Sequence, residues 1–556
     1  MKADNRVNDN INGKKEIIGD YNKLENFQFE DLDKNQNKMQ KILINKKFLF
    51  PNFVWLIIIL LIILVLILIL IIKPYDSGKD ESKPTKDEPG NCEKYTFKTI
   101  YHSNFDNEEI SLINPFFEDN ICNMTIDGQV IKPLSKYNFH SKGNHSVYIY
   151  LKKDKNFQSM NSIFKGINKL ISVSFYPYID TITNMSYMFS DCAELLLVNF
   201  SNFKTEKVTD INSMFYNCES LTSIDLNNFN TEIITNMENM FANCKSLAYI
   251  DISKFNTKNV EHMGSMFYNC TSLTSINLSN FNTEKVTNMY AMFYNCQSLT
   301  SINLSNFNTK NVEKMDSLFY NCTSLTSIDI SKFNTEKVEN MELMFYNCKS
   351  LSSINISNFN TEKVTTMYSM FYNCISLTSI NISNFNTKNV WHIGCMFYNC
   401  NSLTSIDLSN FNTEKVVYMH SIFDNCKSLA YINISSFNTI KVEHMGAMFY
   451  NCYSLTSIDL SNFNTEKVKS MYAMFLNCKS LTSINISNFQ TKNIESMDYM
   501  FYYCDNLKYI DISNFLINKE KVNMFYNLPE GGKIIINSES KNKFEIIPSD
   551  WQQIYI

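Results

Sequence analysis

Thirteen cysteines stand at an unbroken interval of 26 residues, from Cys192 to Cys504. Two phenylalanine ladders keep the same interval, Phe189 to Phe501 just ahead of each cysteine and Phe203 to Phe515 half a repeat later. No insertion or deletion breaks the register between them. A fixed period of this size excludes an ordinary globular core. Each unit is too small to bury its own apolar face, so it must stack on its neighbours and build a solenoid.

One unit runs from Met266 to Ala291, MFYNCTSLTSINLSNFNTEKVTNMYA. Leu273, Ile276 and Leu278 give an L-x-x-I-x-L pattern, and Ser275, Asn277 and Ser279 alternate with the apolar residues. That spacing predicts a short strand with one face inward. In the second half, Val286, Met289, Met292, Phe293 and Cys296 fall at i, i+3, i+6, i+7 and i+10. This spacing predicts a short helix or 3₁₀ segment, with Thr283 or Thr287 capping its start. The fold class expected is an α/β solenoid: a leucine-rich-repeat-like, right-handed array of about 13–14 coils.

The run MFYNC-x-SLTSI-D/N-L-SNFNTEKV resembles the BspA-like leucine-rich repeats of bacterial and protist surface proteins. It is closest in pattern to the MF-x-x-C variety of mycoplasma-type surface proteins. The resemblance covers about residues 157–530. It implies a surface-exposed, non-enzymatic solenoid of the kind credited with adhesion, and it brings no catalytic residues to transfer. This copy is poor in glycine and rich in Asn, Lys and Ile, which leaves the core positions unchanged.

The flanks divide the 556 residues into further segments. Residues 1–52, with ten Lys or Arg against eight Asp or Glu, read as a disordered cytoplasmic tail. Phe53 to Ile72 is an uncharged run of 20 apolar residues, long enough to cross a bilayer once, and Trp55 suits its interface. Lys46 and Lys47 flank it closely on the N-terminal side, which together with the resemblance favours a signal-anchor with the N-terminus in the cytoplasm and the repeats outside. Residues 73–91, with Pro74, Gly78, Pro84 and Pro89 among charges, predict a flexible linker. Residues 92–155 predict a small β cap, with strands at Tyr95–Ile100 and Val147–Leu151. Cys92 and Cys122 can pair there if the compartment is oxidising. The array then spans residues 156–515, with an atypical first coil, and residues 516–556 close its far end.

The chemistry on offer is sparse. Each coil presents one cysteine on its apolar face, which fits a buried thiol acting as a small hydrophobe better than a zinc site needing converging ligands. The outward sheet position is always Asn or Asp, and Asn277, Asn303, Asp329, Asn355, Asn381 and Asp407 read as a solvated polar face that is also a candidate binding surface. Tyrosine follows the phenylalanine of the F-x-N-C motif in six successive coils. Tyr268, Tyr294, Tyr320, Tyr346, Tyr372 and Tyr398 form either a binding stripe or a covering that packs on itself. Histidines 262, 392, 420 and 444 take variable positions, and no nucleophile–base or paired-carboxylate pattern recurs with them. The formal charge of −5 is small for this length and argues neither for nucleic acid nor for an acidic partner, and no nucleic-acid partner is expected. The expectation is a membrane-anchored surface protein, not an enzyme and without a cofactor, whose solenoid binds a protein or glycan outside the cell. A receptor signalling through its tail and a passive surface coat are the alternatives.

Overall fold

The computed structural model describes residues 97–152, 157–176, 181–201, 203–518 and 522–556. They belong to one compact unit, Glu88–Ile556. The expected tail, the apolar span Phe53–Ile72 and the linker lie outside the described residues. Among the described residues, no helix is long and apolar enough to cross a membrane.

The N-terminal part is a β structure of six strands: β1 (Phe97–Ser103), β2 (Glu108–Ser111), β3 (Ile121–Ile126), β4 (Gln129–Ile131), β5 (Lys136–Phe139) and β6 (Gly143–Leu151). Strict alternation drives it. In β1, Phe97, Thr99, Tyr101 and Ser103 are buried and the residues between them are not, the period-2 pattern of a half-buried strand. β1 pairs antiparallel with β6 on one side and with β7 (Leu170–Phe175) on the other, and β7 pairs parallel with β8 (Leu197–Asn199). The cap thus lays an antiparallel strand along the first coil and closes an edge that would otherwise template further pairing.

From there the chain winds in register. β9 (Ser301–Asn303) lies parallel to β10 (Ser327–Asp329), with Ile302 opposite Ile328. β11 (Ser405–Asp407) and β12 (Tyr431–Asn433) repeat the arrangement. β13 (Ser483–Asn485), β14 (Tyr509–Ile512), β15 (Lys533–Ile536) and β16 (Gln552–Tyr555) end the array in a four-stranded parallel sheet. A second line of parallel bridges runs unbroken through fourteen residues, from Ser159 to Ser496. The molecule is therefore a β-solenoid of about fourteen turns.

Among the described residues the expected helix in each second half is absent, and the backbone gives the reason. Each coil holds two non-glycine residues in the left-handed region four positions apart, as at Ser265 (φ 54°) and Asn269 (φ 58°). A left-handed residue every fourth position cannot sustain i→i−4 bonding. Instead, alternate N–H groups turn to the next coil. Met263, Ser265, Phe267 and Asn269 donate to the carbonyls of Asn288, Tyr290, Met292 and Tyr294 at 2.6–3.0 Å. The N–H groups between them close three-residue turns, as Met266 does onto Met263 at 3.3 Å. Thr283 and Thr287 accordingly cap no helix.

Thr283 does something else. It belongs to a ladder of buried threonines that clamp the following coil. Thr309 Oγ1 donates to the Asn334 carbonyl at 2.8 Å and accepts from the Asn334 N–H at 2.7 Å. Thr309→Val keeps the shape and orphans both backbone groups. Because both groups are only part-buried, the cost should be about 1–3 kcal/mol in all, read as a lowered midpoint in chemical denaturation.

The interior is a set of ladders. Phenylalanine rings stack nearly parallel from Phe164 to Phe525, with centroids 5.6 Å apart at Phe293–Phe319 and 5.7 Å at Phe319–Phe345. The cysteines from Cys192 to Cys504 are free and buried at every repeat position. Each thiol donates to the phenylalanine carbonyl one coil back, Cys270 to Phe241 at 3.1 Å. Burial holds the thiols protonated, at about 12 for Cys296, so they should resist alkylation in the native chain and react without prior reduction once it is denatured.

Candidate binding surface

Two rows of side chains face outward along the array. The first is the sheet row. Asn277, Asn303, Asp329, Asn355, Asn381 and Asp407 are exposed, but their acceptor oxygens are already used. Each takes the N–H of the serine two residues on, at 2.9–3.2 Å: Ser279, Ser305, Ser331, Ser357, Ser383 and Ser409. The position requires Asn or Asp because only these reach back to form this turn. Sequence reasoning read the row as a solvated face and missed the turn, although the restriction to Asn or Asp was its visible signal. Hydrogen bonds from the Ser331 hydroxyl and amide hold the Asp329 carboxyl below its ordinary range.

The second row is the tyrosine stripe. The six rings are half-buried and stack face to face in sequence, with centroids 4.5, 4.2, 4.5, 4.5 and 4.3 Å apart from Tyr268 to Tyr398. Their faces are spent on one another. What remains for a partner is a row of ring edges and hydroxyls, together with the two end faces of the stack. Beside it runs a ladder that sequence reasoning did not identify: the left-handed asparagines. The Asn269 amide donates to the Asn243 side-chain oxygen at 2.8 Å, and Asn295, Asn321, Asn347, Asn373 and Asn399 each donate to the asparagine one coil back. Exposed ion pairs also span coils, among them Lys258–Glu232 at 2.5 Å and Lys310–Glu284 at 2.7 Å. Fully exposed pairs of this kind are screened by solvent and add little to stability.

The regularity fails between Trp391 and Gly446. Here Trp391, 43% exposed, lies 5.2 Å from His392 between ring centroids, and His392 stacks on Tyr368 at 4.6 Å. His392 also approaches His420 at 5.8 Å, and Tyr418 stacks on His444 at 5.1 Å. Among the described residues no three metal-ligating side chains converge. Burial lowers His392 to about 3 and His420 to about 4. Both are thus neutral in the fold, against an ordinary value near 6.5. The unfolded chain binds more protons below about 6.5, so the stability they allow is complete above that pH and is lost as pH falls toward their folded values. After correction for intrinsic rates, hydrogen exchange at residues 393–422 should accelerate from about pH 6.5 down to 4. Replacing both histidines by Asn should flatten that dependence. The buried Asp424 carboxyl, raised well above its ordinary range, works in the opposite sense, so the comparison with the double variant isolates the imidazoles.

In the cap, Cys122 is disulfide-bonded, and Cys92, the partner expected for it, lies outside the described residues.

A family model described as "Mycoplasma protein of unknown function, DUF285" matches residues 158–275, 242–353, 274–376, 323–431 and 419–533. These are the residues that carry the BspA-like repeat. No curated protein matches the chain. Among solved structures, a leucine rich cell surface protein from Faecalibacterium prausnitzii is 20% identical, over 57% of this chain and 86% of that one, with a TM-score of 0.27. A leucine-rich repeat protein from Eubacterium ventriosum is 16% identical, over 58% and 94%, with a TM-score of 0.27. The T. pallidum leucine-rich repeat protein TpLRR is 16% identical, over 42% and 83%, with a TM-score of 0.24.

Proposed function

Because the chain belongs to the DUF285 family of mycoplasma proteins of unknown function, with the family's repeats stacked as one array, we propose that it is a membrane-anchored surface protein whose solenoid binds other macromolecules or glycans. What supports this reading is the two outward rows, the tyrosine edges and the exposed sheet positions, each repeated coil after coil. A wall of this kind offers many similar weak contacts, and linked contacts gain avidity through effective concentration. The polar side chains along it are committed to turns and ladders, which suits holding a surface in shape rather than moving protons; the protein is read as non-catalytic. The anchor is the apolar run Phe53–Ile72, with the repeats outside the cell.

The test is direct. Residues 92–556, clustered on beads, should be retained on a cell surface, matrix protein or polysaccharide well above the monomer. Protease added to intact cells should remove the repeats. A clustered array that binds nothing across a broad panel sinks the adhesive reading and leaves a passive coat. Protection of the repeats from protease reverses the orientation.

A further inference from the structure

Six tyrosines follow one another without interruption from Tyr268 to Tyr398, in a column bounded by Ala242 and Asp424. Their rings are nearly parallel. The planes differ by 12°, 0°, 3°, 8° and 3° along the series, with centroids 4.2–4.5 Å apart. Successive rings come from one position of an in-register repeat, so like atoms face like atoms. The hydroxyls lie within electrostatic reach of one another, Tyr268 with Tyr294, Tyr294 with Tyr320, Tyr346 with Tyr372 and Tyr372 with Tyr398. Every ring of the six is half-buried. Its neighbours cover its faces, and small molecules reach its edge.

We propose that this column is a site of oxidative cross-linking, where a peroxidase-type oxidant joins neighbouring tyrosines through a carbon–carbon bond. The co-reactant is hydrogen peroxide acting through a haem peroxidase, both supplied from outside the chain. Burial raises the phenols of Tyr268, Tyr294, Tyr346, Tyr372 and Tyr398 above their ordinary value, so each starts protonated. Each ring gives up one electron and its hydroxyl proton and becomes a neutral phenoxyl radical. The unpaired electron is shared between the oxygen and the ortho and para carbons. The para carbon already bears Cβ, so coupling takes place at an ortho carbon, Cε1 or Cε2, of each ring. The new bond joins these two carbons, and the hydrogen on each moves to its oxygen and restores the phenol. Two tyrosines thus lose two hydrogens in all. One hydrogen peroxide takes up the two electrons and two protons and leaves as two waters.

Geometry, not exposure, selects these rings. A radical at Tyr294 has a partner held at 4.2 Å in a parallel plane. The more exposed Tyr249 and Tyr431 stand between serines in their own column, Ser223 and Ser275 for one, Ser405 and Ser457 for the other. A ring held in contact acts at an effective concentration far above that of a second chain. Each bond ties residues 26 apart and staples two coils otherwise joined by non-covalent contacts. The chemistry is independent of what the array binds.

The experiment treats the full-length chain with a haem peroxidase and limiting hydrogen peroxide. A denaturing gel, tryptic mass spectrometry and the blue emission of the biphenol read the product. A lysine separates the members of each pair, such as Lys285 between Tyr268 and Tyr294, so trypsin yields two peptides joined only by the new bond. The product should run as a single chain. Peptides bearing successive tyrosines should appear joined, two hydrogens lighter than their sum, and the midpoint of denaturation should rise. The triple variant Tyr294→Phe, Tyr346→Phe, Tyr398→Phe keeps every ring in the stack and leaves no two tyrosines adjacent. Its joined stripe peptides should fall by about tenfold or more, and its midpoint should stay where it was. A chain unfolded before oxidation should lose the pairwise pattern. Links only between chains, links centred on Tyr249 or Tyr431, no links at all, or an undiminished yield in the triple variant or the unfolded chain overturn the proposal.

Discussion

Removal of Met292–Ser317, one full period, should leave a shorter array that still unfolds cooperatively, whereas removal of only Met292–Leu304 should abolish it. The full-period deletion joins residues with the same role. Every donor finds the acceptor it would have met one coil later, because Phe267, Phe293 and Phe319 each give their N–H to the methionine or leucine 25 residues on, at 2.9–3.0 Å. The half-period deletion sets a sheet segment against a wall of left-handed turns. It puts Ser305 where Met292 stood, so a polar residue enters the phenylalanine and methionine layer, and the alternate N–H groups of the coil before it face no carbonyl. Several buried backbone groups lose their partners at once, at about 1–3 kcal/mol each, which exceeds what a nearest-neighbour stack holds at one interface. Circular dichroism and the steepness of the denaturation curve distinguish the two chains. Equal tolerance of both would contradict a fixed period.

Phe319→Ala should be the most damaging single truncation, at about 3–5 kcal/mol. The ring is fully buried and stacks on Phe293 and Phe345 together, so its loss opens two interfaces. Because coils contact only their neighbours, the damage should be local. Protease should cut first near residues 300–340 while the two caps stay protected. Tyr320→Ala, one residue away on the half-buried stripe, should cost far less. A Phe319→Ala chain that melts uniformly along its length would show that the stack is more cooperative than nearest-neighbour contact allows.

Much of this was legible in the sequence, because period and burial are one-dimensional facts. Cys270, Phe267, Leu273 and Ile276 recur at 26 and point inward, as alternation and spacing predict. The second half misled for a physical reason. Val286, Met289, Met292, Phe293 and Cys296 have a helical spacing of apolar residues, and three-residue turns put the same residues on one face without an α-helix. The deciding residue was the asparagine before every ladder cysteine but the first and last, which tolerates the left-handed region where most residues do not. The two outward rows were legible, and the tyrosines' packing on one another was one of the two readings offered for them, but the turn that claims the sheet row was not. The acceptors of Asn277 and Asp329 serve their own turns, and the faces of the tyrosines serve one another. Nor did the pattern reveal that the departures near Trp391, His392, His420 and Asp424 gather in space, since a column of the array joins residues 26 apart that a linear reading treats as scattered.

The two ends of this array are built differently from its middle, where the joints share one backbone plan even at the coils whose side chains depart from the pattern. β1 lies antiparallel along the first coil and β16 adds the last parallel strand; between them, each coil meets the next through the same threonine clamp, the same phenylalanine contact and the same backbone ladder. Any two copies within the gene are therefore interchangeable crossover points. Unequal exchange between them adds or removes whole coils and leaves both closures in place. The reach of the wall then becomes a quantity that recombination can set among descendants without any round of refolding the protein, while an odd coil such as the one holding Asp424 can be carried toward either end of the array as a single movable part.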